Sequence, residues 1–258
     1  ILRSSISDLI CKGVKPKYYF ISGSGNFKSF SSSNLKKISE SLDKEQKKYK
    51  IILCGGDTVY SNKLSFTITS VGFSNKIINR NKAYLGDDIY VTGNLGDSYA
   101  GLNILKKKIK TKSSVENYFK KKYFFPNLHL NLTKKLFNFA NTSIDISDGL
   151  ISDLEKLINK QKLSYKICLY DIPISKNLKE LLAKKRLNRL SFISRGDDYQ
   201  ILFTASPKKT RIIDKTFKSL RIKVSKIGKI CNSNVKSHII DQKGKKIAIK
   251  NKGYSHNF

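Results

Sequence analysis

The sequence is poor in several residues that would mark common classes of protein. Its 4 cysteines are far apart, and they form no CxxC pair and no cluster with histidine. This spacing argues against a disulfide framework or a zinc site and favours reduced thiols in a cytoplasmic protein. The longest apolar runs fall well short of the roughly 20 residues of a membrane-spanning helix. We therefore expect no membrane association.

Methionine is missing altogether, even at position 1. Its absence indicates a fragment, a misplaced start or an unusual start codon, and these three interpretations stay open. The 258 residues, of which 39% are hydrophobic, are enough for one large domain or two ordinary ones.

Acidic residues are scarce, with 19 Asp and Glu against 51 Lys and Arg and a formal net charge of +32. Such a charge raises nucleic-acid binding as a candidate function. The excess is mostly lysine in short scattered runs, however, and no aromatic-basic recognition module is visible. We interpret the lysines as solvated surface residues of a protein encoded by AT-rich codons, and we predict no nucleic-acid partner.

Hydrophobic spacing predicts helices and strands in irregular alternation. Helical spacing predicts the longer helices over 33–49, 97–108, 128–139 and 148–160. Short apolar runs or strict alternation predict strands over 51–54, 64–73, 88–92 and 199–204. The pattern breaks between residues 79 and 86. We therefore predict an α+β fold with mixed or antiparallel sheets, packed helices and two domains, 1–82 and 83–258.

Four aspartates stand beside small residues where predicted elements begin or end. They are Asp8 in ISDL, Asp57 in GGDT, and Asp145 with Asp148 in DISDG. Each could be a helix N-cap, the ordinary role of an aspartate in such a place. Carboxylates gathered at element ends repel one another unless a cation lies between them, and Mg²⁺ prefers carboxylate oxygens. The set favours a Mg²⁺ site, although Asp148 taken alone leaves both interpretations open.

Gly55 and Gly56 follow a predicted strand and precede Asp57, an arrangement that lets the backbone approach a phosphate closely. Turns use the same residues, so this signal is weak by itself. The stretch GNLGDSYAG also has the glycines of a phosphate loop, but we interpret it as a strand-to-helix turn.

The ordered set ISDL, GGDT, GDDIYVTGNLGDSYAGL, IDISDGLISDL and GDDYQILFT resembles the thiamine-monophosphate kinase family. That family belongs to the superfamily of aminoimidazole ribonucleotide synthetase. The resemblance runs from Ser7 to Thr204, with a looser echo in GYSHNF at the end. It implies the two-domain architecture of that superfamily and a homodimer, in which the first domain binds ATP and Mg²⁺ and forms the dimer contact. It also implies that ATP phosphorylates thiamine monophosphate to thiamine diphosphate with the help of several Mg²⁺ ions.

The resemblance further implies roles for single residues. The Mg²⁺-binding positions are Asp8, Asp57, Asp145 and Asp148. The ATP-binding positions are Gly56, Asp57, Arg80 and Ser147. The substrate-binding positions are Asp197 and Tyr254, with Phe258 as the second choice for the aromatic residue. No catalytic base is expected, because the acceptor phosphate is already an anion.

The sequence departs from the family pattern in three places. The family has a segment before ISDL with an acidic metal-binding motif and a substrate-contacting histidine, so we expect a first domain that is truncated at its start. RGDDY replaces the usual GGEDY, which shortens the acid at Asp197, and GYSHNF is longer than the usual GYxHF. Two alternatives therefore stay open: another ATP-using enzyme of the superfamily, and a degenerate paralogue that binds nucleotide without turnover.

Overall fold

The smaller of two sheets is built from the N-terminal third of the chain. The computed structural model describes residues 1–249 and 251–254, and the fold is given for these. Strand β1 (Pro16–Gly25) lies between β2 (Ile52–Tyr60) and β3 (Ser65–Gly72). It pairs in parallel with β2 and antiparallel with β3, so this sheet is mixed, as predicted.

Two helices accompany this sheet, α1 (Leu2–Cys11) and α2 (Ser32–Tyr49). In α1, Leu2, Ile6 and Ile10 recur every four residues and are buried, so the helix directs one apolar stripe into the core. Asp8 lies outside that stripe and is exposed.

The larger sheet is formed by the remaining strands of the described chain. They are β4 (Asp88–Thr92), β5 (Thr142–Asp145), β6 (Leu163–Cys168), β7 (Ile201–Ala205), β8 (Val224–Asn232), β9 (His238–Ile240) and β10 (Lys246–Ile247). Their order is β10-β9-β6-β8-β4-β7-β5. Strands β6 and β9 run parallel, and the other neighbouring pairs are antiparallel.

Helices cover both faces of the larger sheet. They are α3 (Asp97–Leu105), α4 (Ser113–Phe124), α5 (Thr133–Leu136), α6 (Leu150–Ile158), α7 (Lys176–Lys185), α8 (Arg189–Ile193) and α9 (Thr210–Leu220), with 3₁₀ helices at Leu130–Leu132 and Pro207–Lys209. Leu202 and Phe203 are adjacent in β7 but lie in two different hydrophobic cores. Since successive strand residues point to opposite faces, each face has its own core. Among the described residues, no helix is long and apolar enough to cross a bilayer.

Two predicted elements are wrong in their extent. The stretch 55–58 lies inside β2 rather than in a loop after it, because β1 runs alongside and pairs Ile21 with Gly56. The predicted helix over 128–139 is reduced to a 3₁₀ turn and the short α5. The N–H groups of Asn138 and Phe139 donate to carbonyls three residues back, which tightens the chain and ends the helix.

Each sheet lies on one side of the predicted boundary between residues 82 and 83. One hydrophobic core nevertheless crosses it, since Ile6 and Tyr19 pack in the same cluster as Phe203 and Phe217. The α+β fold with mixed sheets is confirmed, and the division into domains 1–82 and 83–258 stays a prediction.

Candidate metal and substrate site

Asp8 of α1 and Asp145 at the end of β5 face each other. A carboxylate oxygen of each and the Cys11 Sγ atom all lie within 4.8 Å of one another. Cys11 follows Asp8 by one helical turn, so α1 presents both side chains to the same place. The Ser7 hydroxyl donates a hydrogen bond to Asp145 Oδ2 and fixes its orientation. Helix α1 and strand β5 thus form a pair of opposed carboxylates.

The environment of this pair disfavours two negative charges. Burial of the Asp145 side chain, and secondarily the charge of Asp8, raise the pKa of Asp145 to about 7. The Ser7 hydrogen bond acts in the opposite direction, because it stabilises the ionised carboxylate. A cation between the two groups would remove the repulsion and keep both ionised.

The donor set fits a hard divalent cation. The two carboxylates line a cleft of about 470 Å³ together with Ser147 and Tyr199. The Cys11 thiol donates to the Asp8 carbonyl oxygen at 3.1 Å, and burial raises its pKa well above the ordinary value. The thiol therefore stays protonated and is a poor ligand for a soft metal. Mg²⁺, which takes carboxylate and water oxygens, fits these residues.

The loop that contains Gly149 packs closely against the loop that contains Gly196, beside the cleft. Gly149 has a φ of +125°, and a Cβ there would meet the Ser194 carbonyl oxygen at 2.2 Å. A Cβ on Gly196 would in turn meet the Ser147 carbonyl oxygen at 1.7 Å. The Asp197 N–H donates to that same oxygen at 2.9 Å. The glycines allow this close approach, which holds the DISDG loop against the RGDDY loop.

A second cavity, of about 520 Å³, adjoins the first. Its lining includes Asp148, Asp197 and Tyr254, and it shares Ser147 and Tyr199 with the carboxylate cleft. The Tyr199 hydroxyl donates to Asp197 Oδ1 at 3.2 Å. Burial raises the pKa of Asp197, and this hydrogen bond opposes that effect. The structure thus brings both predicted substrate residues to the wall of one cavity. Phe258 lies outside the described residues.

Asp148 is not an open carboxylate. Lys156 donates a hydrogen bond to Asp148 Oδ2 and another to Asp153 Oδ1 at 3.0 Å. Asp153 Oδ2 accepts the backbone N–H groups of Asp148 and Gly149 at 2.9 and 3.0 Å. Asp153 therefore accepts the N–H groups at the N-terminal end of α6. The sequence had left such a helix-capping role open for Asp148.

Gly56 and Asp57 lie away from the carboxylate cleft. A Cβ on Gly56 would meet the Ile21 carbonyl oxygen at 1.7 Å, so close contact with β1 by itself requires glycine there. Asp57 is exposed on β2 and pairs through β1 Ser22 with Thr67 of β3. Phe66 and Ile68, which line the cleft, alternate to the opposite face of that sheet.

Arg80 is also distant from the DISDG loop. It is exposed between β3 and β4, next to Asn81, whose N–H donates to the Leu157 carbonyl oxygen at 2.8 Å. Leu157 is near the C-terminal end of α6, whereas Asp148 precedes its N-terminal end. The nine residues of α6 span roughly 13 Å. Within one chain, the structure therefore separates Arg80 from the residues around Asp148.

Sequence reasoning missed several residues that line or support the two cavities. They are Ser7, Tyr99, Lys156, Arg195 and Tyr199. Lys156 follows Asp153 by three residues in a predicted helix, a spacing that could have indicated contact. Tyr99 and Arg195 gave no such signal, because they are far apart in the sequence. The Arg195 guanidinium lies 5.7 Å from the centre of the Tyr99 ring only because the loop after α8 packs against α3.

Comparison with known proteins shows the family to which the chain belongs. Residues 1–74 match the family described as AIR synthase related protein, N-terminal domain. The thiamine-monophosphate kinase of Buchnera aphidicola subsp. Schizaphis graminum is 38% identical over 256 residues, which cover 98% of this chain and 77% of the relative. The chain belongs to the thiamine-monophosphate kinase family.

Solved structures agree with this family. The thiamine monophosphate kinase of Aquifex aeolicus has a TM-score of 0.82 at 26% identity, covering 95% of this chain and 79% of that one. A complex of AaThiL with AMPPCP and TMP also has a TM-score of 0.82 at 26% identity, covering 97% and 77% of the two chains. The likeness extends across both sheets.

Proposed function

We propose that the chain transfers the γ-phosphoryl group of ATP to thiamine monophosphate and so forms thiamine diphosphate. The observation that carries this proposal is the pair of adjoining cavities that share Ser147 and Tyr199. One is lined by the carboxylates of Asp8 and Asp145, and the other by Asp197 and Tyr254. The relative AaThiL binds AMPPCP and TMP together, which supports two neighbouring ligands in this site as well.

Asp8 and Asp145 are the residues that would hold Mg²⁺, with Asp148 and Asp57 as further proposed ligands. Mg²⁺ bound there supplies charge neutralisation to the phosphate groups of both substrates. The protein's own contribution is orientation, since Ser7 fixes the Asp145 carboxylate. Asp8 is exposed, so the carboxylate pair can be reached from solvent.

No general base is needed for this transfer, because the acceptor oxygen belongs to a phosphate that is an anion at neutral pH. His129 binds Gln200 through Nε2 at 3.0 Å and lines a separate cavity with Lys122. The side chains that line the two substrate cavities instead offer carboxylates, hydroxyls, Lys106 and Arg195 as polar groups.

The second cavity suits a cationic heteroaromatic ring that carries a phosphate. Tyr254 and Tyr99 provide aromatic surface, and the Asp197 carboxylate provides the charge that a thiazolium attracts. Arg195 lies over Tyr99 and offers a guanidinium for a phosphate group. We therefore place thiamine monophosphate in this cavity, with its phosphate toward Ser147 and the carboxylate cleft.

We also propose a homodimer formed through the smaller sheet. Strand β2 is at its edge and is exposed at every position. The exposed apolar side chains on and beside this sheet are Phe20, Phe27, Ile52, Leu53, Val59, Tyr60, Leu64 and Phe73. A surface of this kind marks a protein interface. The proposed metal role of Asp57 depends on such a dimer, because this exposed residue does not line the Asp8–Asp145 cleft of its own chain.

The test is thiamine diphosphate formation by the purified chain with ATP, Mg²⁺ and thiamine monophosphate. We expect product above a no-enzyme control, and a loss of at least about 100-fold in Asp145→Asn. ATP binding without turnover in the unaltered protein would reject the kinase proposal in favour of a nucleotide-binding paralogue. Turnover of a different acceptor with the same Asp145 dependence would place the chain with another ATP-using activity.

A further inference from the structure

Lys156 already supplies a positive charge to an aspartate that is proposed as a metal ligand. Its ammonium group donates to Asp148 Oδ2 and to Asp153 Oδ1. Lys156 and Asp153 are three residues apart in α6, so the helix places them on one face. One lysine thus bridges the carboxylate just before Gly149 and the carboxylate four residues after it.

Asp153 anchors this lysine. Its side chain is buried, with 1% exposure, and its Oδ2 is occupied by two backbone N–H groups. A buried carboxylate needs hydrogen bonds and a nearby counter-charge, and Lys156 supplies the charge. The Lys156 and Asp148 side chains are 36% and 30% exposed, so their mutual contact lies toward solvent. Lys156 can therefore release Asp148 while it stays bound to the buried Asp153.

We propose that Lys156 is a built-in counter-ion that competes with Mg²⁺ for the Asp148 carboxylate and weakens the metal site at that residue. The proposal rests on the metal-binding role proposed above for Asp148. A divalent cation approaching Asp148 meets an ammonium group already bound to Oδ2, and the two like charges repel.

The Asp8–Asp145 pair provides a contrast. Its hydrogen-bond donor is the Ser7 hydroxyl, which carries no charge that a metal ion would have to displace. The burial of Asp145 and its proximity to Asp8 also favour a cation between them. Metal occupancy should therefore be stepwise, with the Asp8–Asp145 pair filling at lower Mg²⁺ concentration than Asp148.

Mn²⁺ binding tests this without turnover, by counting free Mn²⁺ with EPR in the absence of nucleotide. The proteins are the unaltered chain, Lys156→Met, Asp148→Asn and the double variant. We expect Lys156→Met to tighten the Asp148-dependent site about fivefold, the upper end of what a half-exposed ion pair contributes. The gain should vanish in the double variant, and Lys156→Gln serves in place of Lys156→Met if the latter does not fold.

A matched control separates the specific contact from net charge. Lys252 lies close by but pairs with Glu155 Oε1 at 2.8 Å. Lys252→Met removes the same charge, and it should change Mn²⁺ affinity much less than Lys156→Met does. Equal effects of the two variants would overturn the proposal.

Two further outcomes also decide it. If Asp148→Asn removes a Mn²⁺ site that Lys156→Met does not strengthen, the Lys156 proposal fails while the metal role of Asp148 stands. If Asp148→Asn changes nothing in either background, both proposals fail. A rise in the KM for thiamine monophosphate in Lys156→Met with unchanged Mn²⁺ binding would assign Lys156 to the substrate phosphate instead.

Discussion

The backbone N–H of Tyr254 donates a hydrogen bond to the carbonyl oxygen of Asp148 at 2.9 Å. The described residues 251–254 are therefore held against the DISDG loop itself. A second bond, from the Ser152 N–H to the Lys252 carbonyl oxygen at 2.8 Å, continues this attachment along α6. The residue proposed to contact thiamine and a proposed metal ligand are thus joined by a direct backbone hydrogen bond.

This attachment predicts the effect of Gly253→Ala. A Cβ at position 253 would meet the Ser152 Cβ at 2.5 Å and the Asp148 carbonyl oxygen at 2.8 Å, so the segment must move away. We expect the KM for thiamine monophosphate to rise about tenfold, which corresponds to about 1.4 kcal/mol. The KM for ATP should change much less. Lys252→Ala is the control, and parallel rises in both KM values would contradict the assignment of Tyr254 to the substrate.

Asp145→Asn should separate activity from stability. The substitution removes one of two carboxylates that repel each other, and Asn can still accept the Ser7 hydrogen bond. We expect the metal-free variant to melt at the same temperature as the unaltered chain or higher, while turnover is lost. Mg²⁺ should raise the melting temperature of the unaltered chain more than that of the variant, which keeps only the weaker site proposed at Asp148. A variant that Mg²⁺ stabilises as strongly as the unaltered chain would argue against a cation at this pair.

Gly56→Ala tests whether this glycine serves packing or phosphate binding. Its Cβ would collide with the Ile21 carbonyl oxygen, so β1 and β2 would have to separate. We expect a loss of about 2 kcal/mol or more in the free energy of unfolding, measured in urea. Asp57→Ala, at the next and exposed position, should leave that free energy nearly unchanged. Unaltered stability in Gly56→Ala with weaker ATP binding would favour the phosphate role.

His129 predicts a pH dependence of stability. Burial, with a smaller effect of Lys122, lowers the pKa of the His129 imidazole below its ordinary value of 6.5, against the Gln200 hydrogen bond. The unfolded chain therefore takes up this proton at higher pH than the folded chain does. The stabilising contribution is present above pH 6.5 and is lost as the pH falls toward the folded pKa.

The measurement is urea unfolding at pH 7.5 and at pH 5.5 for the unaltered chain and for His129→Gln. We expect the stability difference between them to shrink at the lower pH. His238→Gln, in β9, controls for the removal of a histidine as such. A difference that grows on acidification would contradict the burial argument.

The exposed sheet predicts an oligomer. Val59 is 54% exposed on β2, and Val59→Asp should weaken a dimer formed through that strand. Val235 is 47% exposed in the turn after β8, so Val235→Asp is a matched control with a similar exposed side chain. Light scattering coupled to size exclusion should show a smaller mass for Val59→Asp alone. Equal masses for both variants would place the dimer contact elsewhere.

The spacing of apolar residues was enough to predict the helices and strands that bury one face and expose the other. Leu150, Leu154 and Leu157 face the core at the expected helical spacing. The alternation over 64–73 becomes β3.

Helix α1 and strand β1 were missed. The spacing of Leu2, Ile6 and Ile10 does carry a helical signal. Strand β1 has no regular alternation of buried and exposed residues, so its pairing in the sheet is not visible in the sequence. The 55–58 segment was predicted as a loop, but it pairs with β1 and forms part of a strand although two glycines favour a turn.

For the site, sequence motifs indicated which carboxylates matter but not which of them meet. Asp8 and Asp145 come together because α1 packs beside β5, a relation that depends on the whole core. Asp148 and Asp197 line one cavity for the same reason.

As motif positions, Asp57 and Arg80 look equivalent to the other predicted residues. In the structure, however, neither residue lines the two cavities of its own chain. The contact of Lys156 with Asp148 is visible only in the structure, because the sequence shows no more than the three-residue spacing of Asp153 and Lys156.

The mutual fit of Gly149 and Gly196 has a consequence for how this enzyme can change. Each loop fills the space that a side chain at the glycine of the other would need, so both positions require glycine. A loop from a relative that keeps this glycine meets no such collision, whereas a loop with a side chain there would also need a different partner loop. Attempts to redirect acceptor specificity with a loop that lacks the glycine should therefore swap residues 145–149 and 194–199 together.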